Sequence, residues 1–248
     1  MDLQKHKQEW EDLANLDPLW AIITETDRKF GKWKIDEFLK TGEREIEQVM
    51  ECAKALGYPT RRDSVLDFGC GVGRLTRFLA SHFQHSIGVD MSERMISKAR
   101  ELNPSISNCQ FIVNPGEHLQ AFSDNYFDMV YSIFVLQHIS SRRTIESYLS
   151  EFVRVLKENG LLIFQLPNYI PLKNRIQPRR RLYSLLRKYG INEKLLYEKL
   201  SLHPICANFI PEKEVVDFLK RRGAEILKVQ VDPLHGRSFQ SRTYFVTK

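Results

Sequence analysis

Residues 65–74, VLDFGCGVGR, constrain the fold more than any other part of the chain. A short apolar run empties into three glycines. Residues with helical spacing follow at once: Leu75, Phe78, Leu79 and Phe83. A strand that becomes a helix through glycine exposes backbone N–H groups at the helix start, where negative charge is favoured. The same rhythm continues to residue 168. HSIGVD at 85–90 predicts a second strand, and Ser92 predicts the cap of a helix carrying Met95, Ile96 and Ala99 on one face. Residues 111–113 and 126–135 predict a third and a fourth strand. A helix follows over 142–157, with Ile145, Leu149, Phe152, Val153 and Leu156 inward and Asn159-Gly160 as its stop. Residues 161–166 make a fifth strand. Strands that are apolar without alternation lie in a sheet covered on both faces. Their alternation with helices predicts an α/β fold with a doubly wound, mostly parallel sheet.

The flanking segments read differently. Residues 1–60 are polar, helical and rich in tryptophan, and predict an N-terminal lid; Thr41 is the expected cap of a helix reaching Leu56, stopped by Gly57 and Pro59. Residues 169–208 interrupt the strand–helix rhythm. Residues 209–248 resume it with a helix from Pro211 to Arg222, a stop at Gly223 and strands over 225–231 and 242–247, which predicts an antiparallel hairpin on the sheet edge. The division is therefore lid 1–60, core 61–168, inserted cap 169–208 and core completion 209–248.

Composition and charge narrow the classes further. With 42% hydrophobic and 27% charged residues, the chain is neither disordered nor fibrous. No apolar run approaches the ~20 residues a membrane helix needs. The start, MDLQKHKQEW, lacks the apolar stretch of a secretory signal, so a cytoplasmic protein is expected. Cys52, Cys70, Cys109 and Cys206 form no CxxC pair, and no His or acidic cluster has metal-ligand spacing, so free thiols and no metal are expected. The net charge of +6 is local. Between Asn159 and Asn192 there is no acid but seven cations: Lys173, Arg175, Arg179, Arg180, Arg181, Arg187 and Lys188; the rest of the chain sums to −1.

The glycine loop has two candidate guests. The dinucleotide fingerprint GxGxxG, counted from Gly69, puts Arg74 where its third glycine belongs. Asp67 stands two residues before Gly69, where an acid repels a pyrophosphate and suits a cation. S-adenosylmethionine carries an ammonium, a sulfonium and a carboxylate, and fits this loop better than NAD. Asp90, at the end of the second strand, is placed to accept both hydroxyl protons of a ribose, or to cap the next helix alongside Ser92.

VLDFGCGVGR, IGVDMS, FDMVYSIFVLQHI and VLKENGLLIFQLPN together resemble the class I S-adenosylmethionine-dependent methyltransferases, in their small-molecule branch; the likeness covers 61–168 well and 209–248 less fully. The resemblance implies a Rossmann-like seven-stranded sheet and methyl transfer by in-line displacement to a small-molecule acceptor with an oxygen or nitrogen nucleophile. It implies that Asp67 supports the methionine amino group, that Gly69, Cys70, Gly71 and Gly73 pack on the cofactor, and that Asp90 holds the ribose with Met91 on the adenine. The family's adenine-amine contact has no direct counterpart in NPGEH at 114–118, and Gly116 or Glu117 is the expected substitute. The fourth strand is expected to end beside the methyl group, at Ser132, Ile133, Phe134, Gln137 and His138.

His138 is the candidate general base, needed only for an acceptor protonated at neutral pH. Gln137, Tyr169 and His203 are candidate acceptor contacts, with packing within the cap the alternative for the last two; Trp20 and Trp33 are either packing anchors of helices that lack a core of their own or walls of an apolar pocket. In the insert, Leu182, Leu185, Leu186 and Tyr189 share one helical face and are expected to point inward, with Leu195, Leu196 and Leu200 inward on the next helix. The basic face opposite is expected to be solvated. An acidic or lipid-like acceptor or an anionic membrane surface ranks next, and RNA last, because RNA-binding surfaces interleave exposed aromatics with their charges.

Overall fold

The computed structural model describes residues 3–139, 141–232 and 239–248; the side chain of Lys173 lies outside the described residues. Seven strands form one sheet: β1 Ser64–Phe68, β2 His85–Asp90, β3 Cys109–Val113, β4 Phe127–Ser132, β5 Leu156–Tyr169, β6 Glu225–Val231 and β7 Gln240–Thr247. Their order is β3-β2-β1-β4-β5-β7-β6. The first five run parallel, and β7 is antiparallel to both β5 and β6, so the expected edge hairpin is present. Chain direction across the sheet reverses between β1 and β4, and there the carboxyl ends of the strands open a crevice.

Ten helices accompany the sheet among the described residues: α1 Leu3–Leu16, α2 Pro18–Ile22, α3 Ile35–Leu56, α4 Thr76–Leu79, α5 Glu93–Leu102, α6 Arg142–Val155, α7 Leu172–Arg175, α8 Pro178–Lys188, α9 Glu193–Leu200 and α10 Glu212–Lys220. Successive strand residues face opposite ways, and each face has its own cluster. Leu66, Val130, Leu162 and Phe164 pack with Leu149 and Phe152 of α6 and Leu219 of α10. Val65, Met129, Tyr131 and Ile163 pack with Ile46 and Met50 of α3 and with Leu79 and Phe83. Burying each such Leu, Ile or Phe contributes roughly 1.5–3 kcal/mol before the cost of ordering it.

Several boundaries differ from expectation. The third helix starts at Ile35, not Thr41, because Asp36 and Glu37 favour its first turn; Thr41 lies inside it and its hydroxyl donates to the Phe38 carbonyl at 2.6 Å. Gly57 does end it, at φ 78°. The four apolar residues after the glycine loop are indeed turned inward, but regular α-helix is confined to Thr76–Leu79. Asn159-Gly160 does not stop a helix. α6 already ends at Val155, and both residues sit in β5, where the register with β4 shifts. A Cβ on Gly160 would stand 2.9 Å from the Asp128 carbonyl oxygen, so glycine permits that close crossing.

The flanking segments build a third cluster of their own. Leu13, Trp20, Ala21, Trp33 and Phe38 pack with Val72 and Met95 of the core and with Tyr197 of the insert. Of the four residues of α8 expected to point inward, only Leu186 does. Tyr183 is its buried anchor, packed with Leu196 and Leu202, while Leu182, Leu185 and Tyr189 are exposed. On α9, Leu196 and Tyr197 are buried, whereas Leu195 and Leu200 face outward.

Candidate active site

A deep cleft opens where the sheet order reverses. Its volume, including the mouth open to solvent, is about 990 Å³. Asp67 and Phe68 line it from the end of β1, Val89, Asp90 and Met91 from β2, Asn114 from beyond β3, and Ile133, Phe134 and Val135 from beyond β4.

Gly69, Cys70 and Gly71 form the floor of the cleft. Gly69 has φ 76°, and a Cβ there would stand 2.3 Å from Val135, so the loop comes too close to the β4 extension for any side chain. Gly73 does not line the cleft; it packs on Phe111 and Asn103. The Cys70 thiol is buried, which pushes its pKa up and keeps it protonated.

Asp67 is 2% exposed and accepts a hydrogen bond from Thr76 Oγ1 at 2.6 Å. Burial pushes its pKa up to about 7, although the Thr76 hydroxyl and the Arg74 charge pull it down. Arg74, 3% exposed, is the residue that breaks the dinucleotide pattern. It leans on α3, pairing with Glu45 at 2.9 Å and donating to Thr41 Oγ1 at 3.3 Å. It also lines the cleft, and its buried Nε has no hydrogen-bond partner.

Both readings of Asp90 meet in one carboxylate. One oxygen accepts from the Ser92 N–H at 2.9 Å and the other from the Gly71 N–H at 3.0 Å, so Asp90 shapes the next helix start and fastens the glycine loop to β2. Burial raises its pKa to about 6 against those hydrogen bonds. Ser92 itself caps α5 as expected, accepting from the Met95 N–H at 3.1 Å.

At the expected adenine end, Gly116 and Glu117 are not on the cleft wall. The Gly116 carbonyl accepts from the Tyr148 hydroxyl at 2.8 Å, and Glu117 accepts from Thr144 Oγ1 at 3.0 Å. Asn114, Thr144 and Tyr148 line the cleft instead. Ser132 is also off the wall; its hydroxyl donates to the Phe68 carbonyl at 3.2 Å.

The opposite end holds His138, reached from above by α1. Its Nδ1 lies 2.6 Å from the Cys206 carbonyl oxygen. A carbonyl only accepts, so Nδ1 carries the proton and Nε2 presents its lone pair. Gln137, which is not on the cleft wall, places its side-chain nitrogen 3.1 Å from that Nε2. The Trp10 indole meets the His138 ring edge-on at 5.5 Å, and His6, also on the wall, is 7% exposed with an unpartnered Nδ1. Burial first, and then the neighbouring charge of Arg180, lower the His6 pKa to about 4, so its ring is neutral.

The remaining aromatic candidates are elsewhere. Trp20 packs on Tyr197 and His203 and donates to the Glu25 carbonyl at 3.0 Å; Trp33 packs on Phe38. Both are anchors of the third cluster; His203 lies against Trp20 at its edge, and burial lowers its pKa to about 4. Tyr169 is 45% exposed beside Phe209 and Arg175. The true wall residues of the N-terminal segment are His6, Trp10, Ala21 and Ile22. Their signal in the sequence was faint: His6 and Trp10 are four apart, one helical turn.

N-terminal segment and insert are tied together. Arg180 pairs with Glu9 and Arg187 with Asp12, each at 3.4 Å, and the Tyr197 hydroxyl donates to Asp17 at 2.8 Å. Two of the seven cations of the basic stretch are thus spent on internal acids.

Comparison with known proteins bears on the domain and the fold. Residues 66–164 match the family described as "Methyltransferase domain". The chain is 32% identical over 101 residues to the 2-methyl-6-phytyl-1,4-hydroquinone methyltransferase of Synechocystis sp., covering 40% of this chain and 30% of that one. It is 34% identical over 110 residues to the demethylmenaquinone methyltransferase of Tropheryma whipplei, covering 44% of each. These matches span less than half the length of either relative. The crystal structure of magnesium protoporphyrin IX methyltransferase from Synechocystis PCC 6803 with bound SAH superposes with a TM-score of 0.65 over 100% of both chains at 18% identity, a likeness of fold. Residues 66–164 thus match a methyltransferase domain, and the seven-stranded sheet built around them has the Rossmann-like fold seen in the methyltransferase of known structure.

Proposed function

We propose that this protein is an S-adenosylmethionine-dependent methyltransferase acting on a small molecule with an oxygen or nitrogen nucleophile. One observation carries the reading: a buried carboxylate, Asp67, and a buried guanidinium with an unpartnered Nε, Arg74, share the glycine end of the cleft. An amino-acid end group brings an ammonium for the first and a carboxylate for the second. A pyrophosphate brings only negative charge and leaves Asp67 opposed. Asp90 stands at the strand end where a ribose diol is held, with Met91 and Asn114 beyond it for the adenine. When bound, S-adenosylmethionine supplies a methyl group activated by a positively charged sulfur.

The chain's own contribution is alignment, exclusion of water and management of one proton. The N-terminal helices and the insert act as a lid: Trp10 and Ile22 cover the cleft, and the ion pairs to Arg180 and Arg187 hold α1 against α8. His138, with its proton fixed on Nδ1 by the Cys206 carbonyl, accepts the acceptor's proton at Nε2 once the Gln137 amide that rests there turns aside. The apolar walls, Trp10, Phe134 and Ile139, favour a lipid-like acceptor, in keeping with the quinone-type compounds named for the two relatives.

Calorimetry with S-adenosylhomocysteine and with NADH tests the cofactor. Saturable binding of the first alone is expected, and binding of NADH alone rejects the reading. Transfer of labelled methyl to a panel of phenols, hydroquinones and amines then tests the acceptor. Transfer to bulk tRNA in preference to every small molecule overturns that part.

A further inference from the structure

Twelve large hydrophobic side chains are exposed among the described residues, and five of them crowd into residues 172–189: Leu172, Ile176, Leu182, Leu185 and Tyr189, at 70%, 49%, 46%, 50% and 77% exposure. At 100° per residue, Leu182, Leu185 and Tyr189 fall within about 60° of one another on α8, roughly 130° round from Tyr183, the residue that anchors the helix. The stripe is therefore not the packing face of α8. It is a second apolar face with no partner among the described residues.

The cations divide in the same way. Arg180 and Arg187, on the inner side, are committed to Glu9 and Asp12. Arg181 and Lys188 are exposed, border the stripe and have no carboxylate partner among the described residues. The surrounding sequence from Asn159 to Asn192 contains no acid to neutralise them.

We propose that α8 docks this protein on an anionic lipid bilayer, with Leu182, Leu185 and Tyr189 entering the headgroup–acyl boundary and Arg181 and Lys188 meeting lipid phosphates. A bilayer satisfies both halves of the surface at once: apolar side chains leave water while long cationic ones stay among anions. An RNA would pair with the cations and leave the leucines in water. A second copy of the chain would set this acid-free stretch against its own like charge. Because α8 is tied to α1, and α1 covers the cleft, docking would set the mouth of the lid close to the lipid surface. The docking surface stands independently of the methyl-transfer reading.

Sedimentation of the full chain with vesicles tests it, using phosphatidylcholine alone and phosphatidylcholine mixed equally with phosphatidylglycerol. Binding to the mixed vesicles only, weakened by added salt, is expected. The triple variant Leu182→Ser, Leu185→Ser, Tyr189→Ser and the double variant Arg181→Glu, Lys188→Glu should each lower the partition coefficient at least about tenfold. Circular dichroism and S-adenosylhomocysteine binding should stay at the parent's level in both, since every altered side chain is exposed. Failure of the parent to sediment with the mixed vesicles overturns the proposal, as does binding that survives both variants. A parent that is dimeric by ultracentrifugation without lipid, and monomeric in the triple variant, also overturns it, since the stripe would then be covered by a second copy.

Discussion

The glycine-loop half of the cleft and the lid half are built on different principles. In the first, most wall residues sit at a strand end or in a loop whose path is fixed by hydrogen bonds of its backbone N–H groups: those of Gly69 and Cys70 both reach the Val89 carbonyl, and that of Gly71 reaches the Asp90 carboxylate. In the second, the walls are carried on helices held mostly through side chains, by ion pairs to the insert and to α5 and by a cluster of aromatic rings. Backbone pairing in a sheet covered on both faces leaves little room to move. Side-chain docking on a partly exposed surface opens at lower cost. The lid half is the part suited to admit an acceptor and then exclude water.

The contrast can be broken most forcefully at the core. Phe152→Ala removes a fully buried ring beneath the sheet and should destabilise the protein by about 3–5 kcal/mol in chemical denaturation. A loss no larger than that from a lid substitution would mean the sheet is not the stable unit.

Next in size is Asp67→Asn. Removing the charge that faces the ligand ammonium should weaken S-adenosylhomocysteine binding about 100-fold by calorimetry, since breaking a buried pair costs roughly 3–5 kcal/mol and the remaining amide recovers part of it. The same change should leave the ligand-free protein as stable or more stable at pH 8. The Asp67 pKa is raised to about 7, so the carboxyl favours folding below its ordinary value near 4, and that contribution is lost as pH rises through 7.

The pH dependence of binding follows from the same group and has the opposite sign. The ligand ammonium needs Asp67 ionised, so affinity should be level above about pH 8 and fall roughly tenfold per unit below 7. In Asp67→Asn the fall should disappear. A profile unchanged by that substitution assigns the titration to another group, Asp90 first, with its pKa near 6.

The smallest effect belongs to the lid. Arg187→Ala breaks the partly exposed pair with Asp12 and should cost less than about 1 kcal/mol in global stability. It should nevertheless speed amide exchange in residues 3–16 and raise the acceptor KM more than it lowers kcat. Exchange unchanged there would show that the pair with Asp12 does not hold the lid.

How much of this was legible in the sequence follows the same division. The strands β1, β2 and β6, the loop, Asp67, Asp90 and the Ser92 cap were readable because each depends on residues adjacent in the chain: an apolar run, a glycine at positive φ, an acid at a strand end. Arg74 was read only as an obstacle, since nothing local announces that Glu45, 29 positions earlier, will hold its guanidinium beside the cleft. Gly116 and Glu117 were reasonable by position after β3, yet the Tyr148 and Thr144 hydroxyls of α6 engage them instead. The largest misreading was α8. Its spacing announces an apolar stripe but not which neighbour, if any, takes it. Tyr183 is buried between Leu196 and Leu202 because those residues of the insert lie against it, and the leucine stripe was left outside.

The sequence by itself determined the doubly wound sheet, the bend that follows β1 and the acids flanking that bend, because short-range sterics and alternating burial leave a chain few other conformations. Only the tertiary structure decided that His6 and Trp10 would close over His138, that Arg74 would join Asp67, and that α8 would turn its leucines to solvent. Those choices are contests between distant surfaces of similar polarity, and they are settled by which shapes and charges meet once the chain has collapsed.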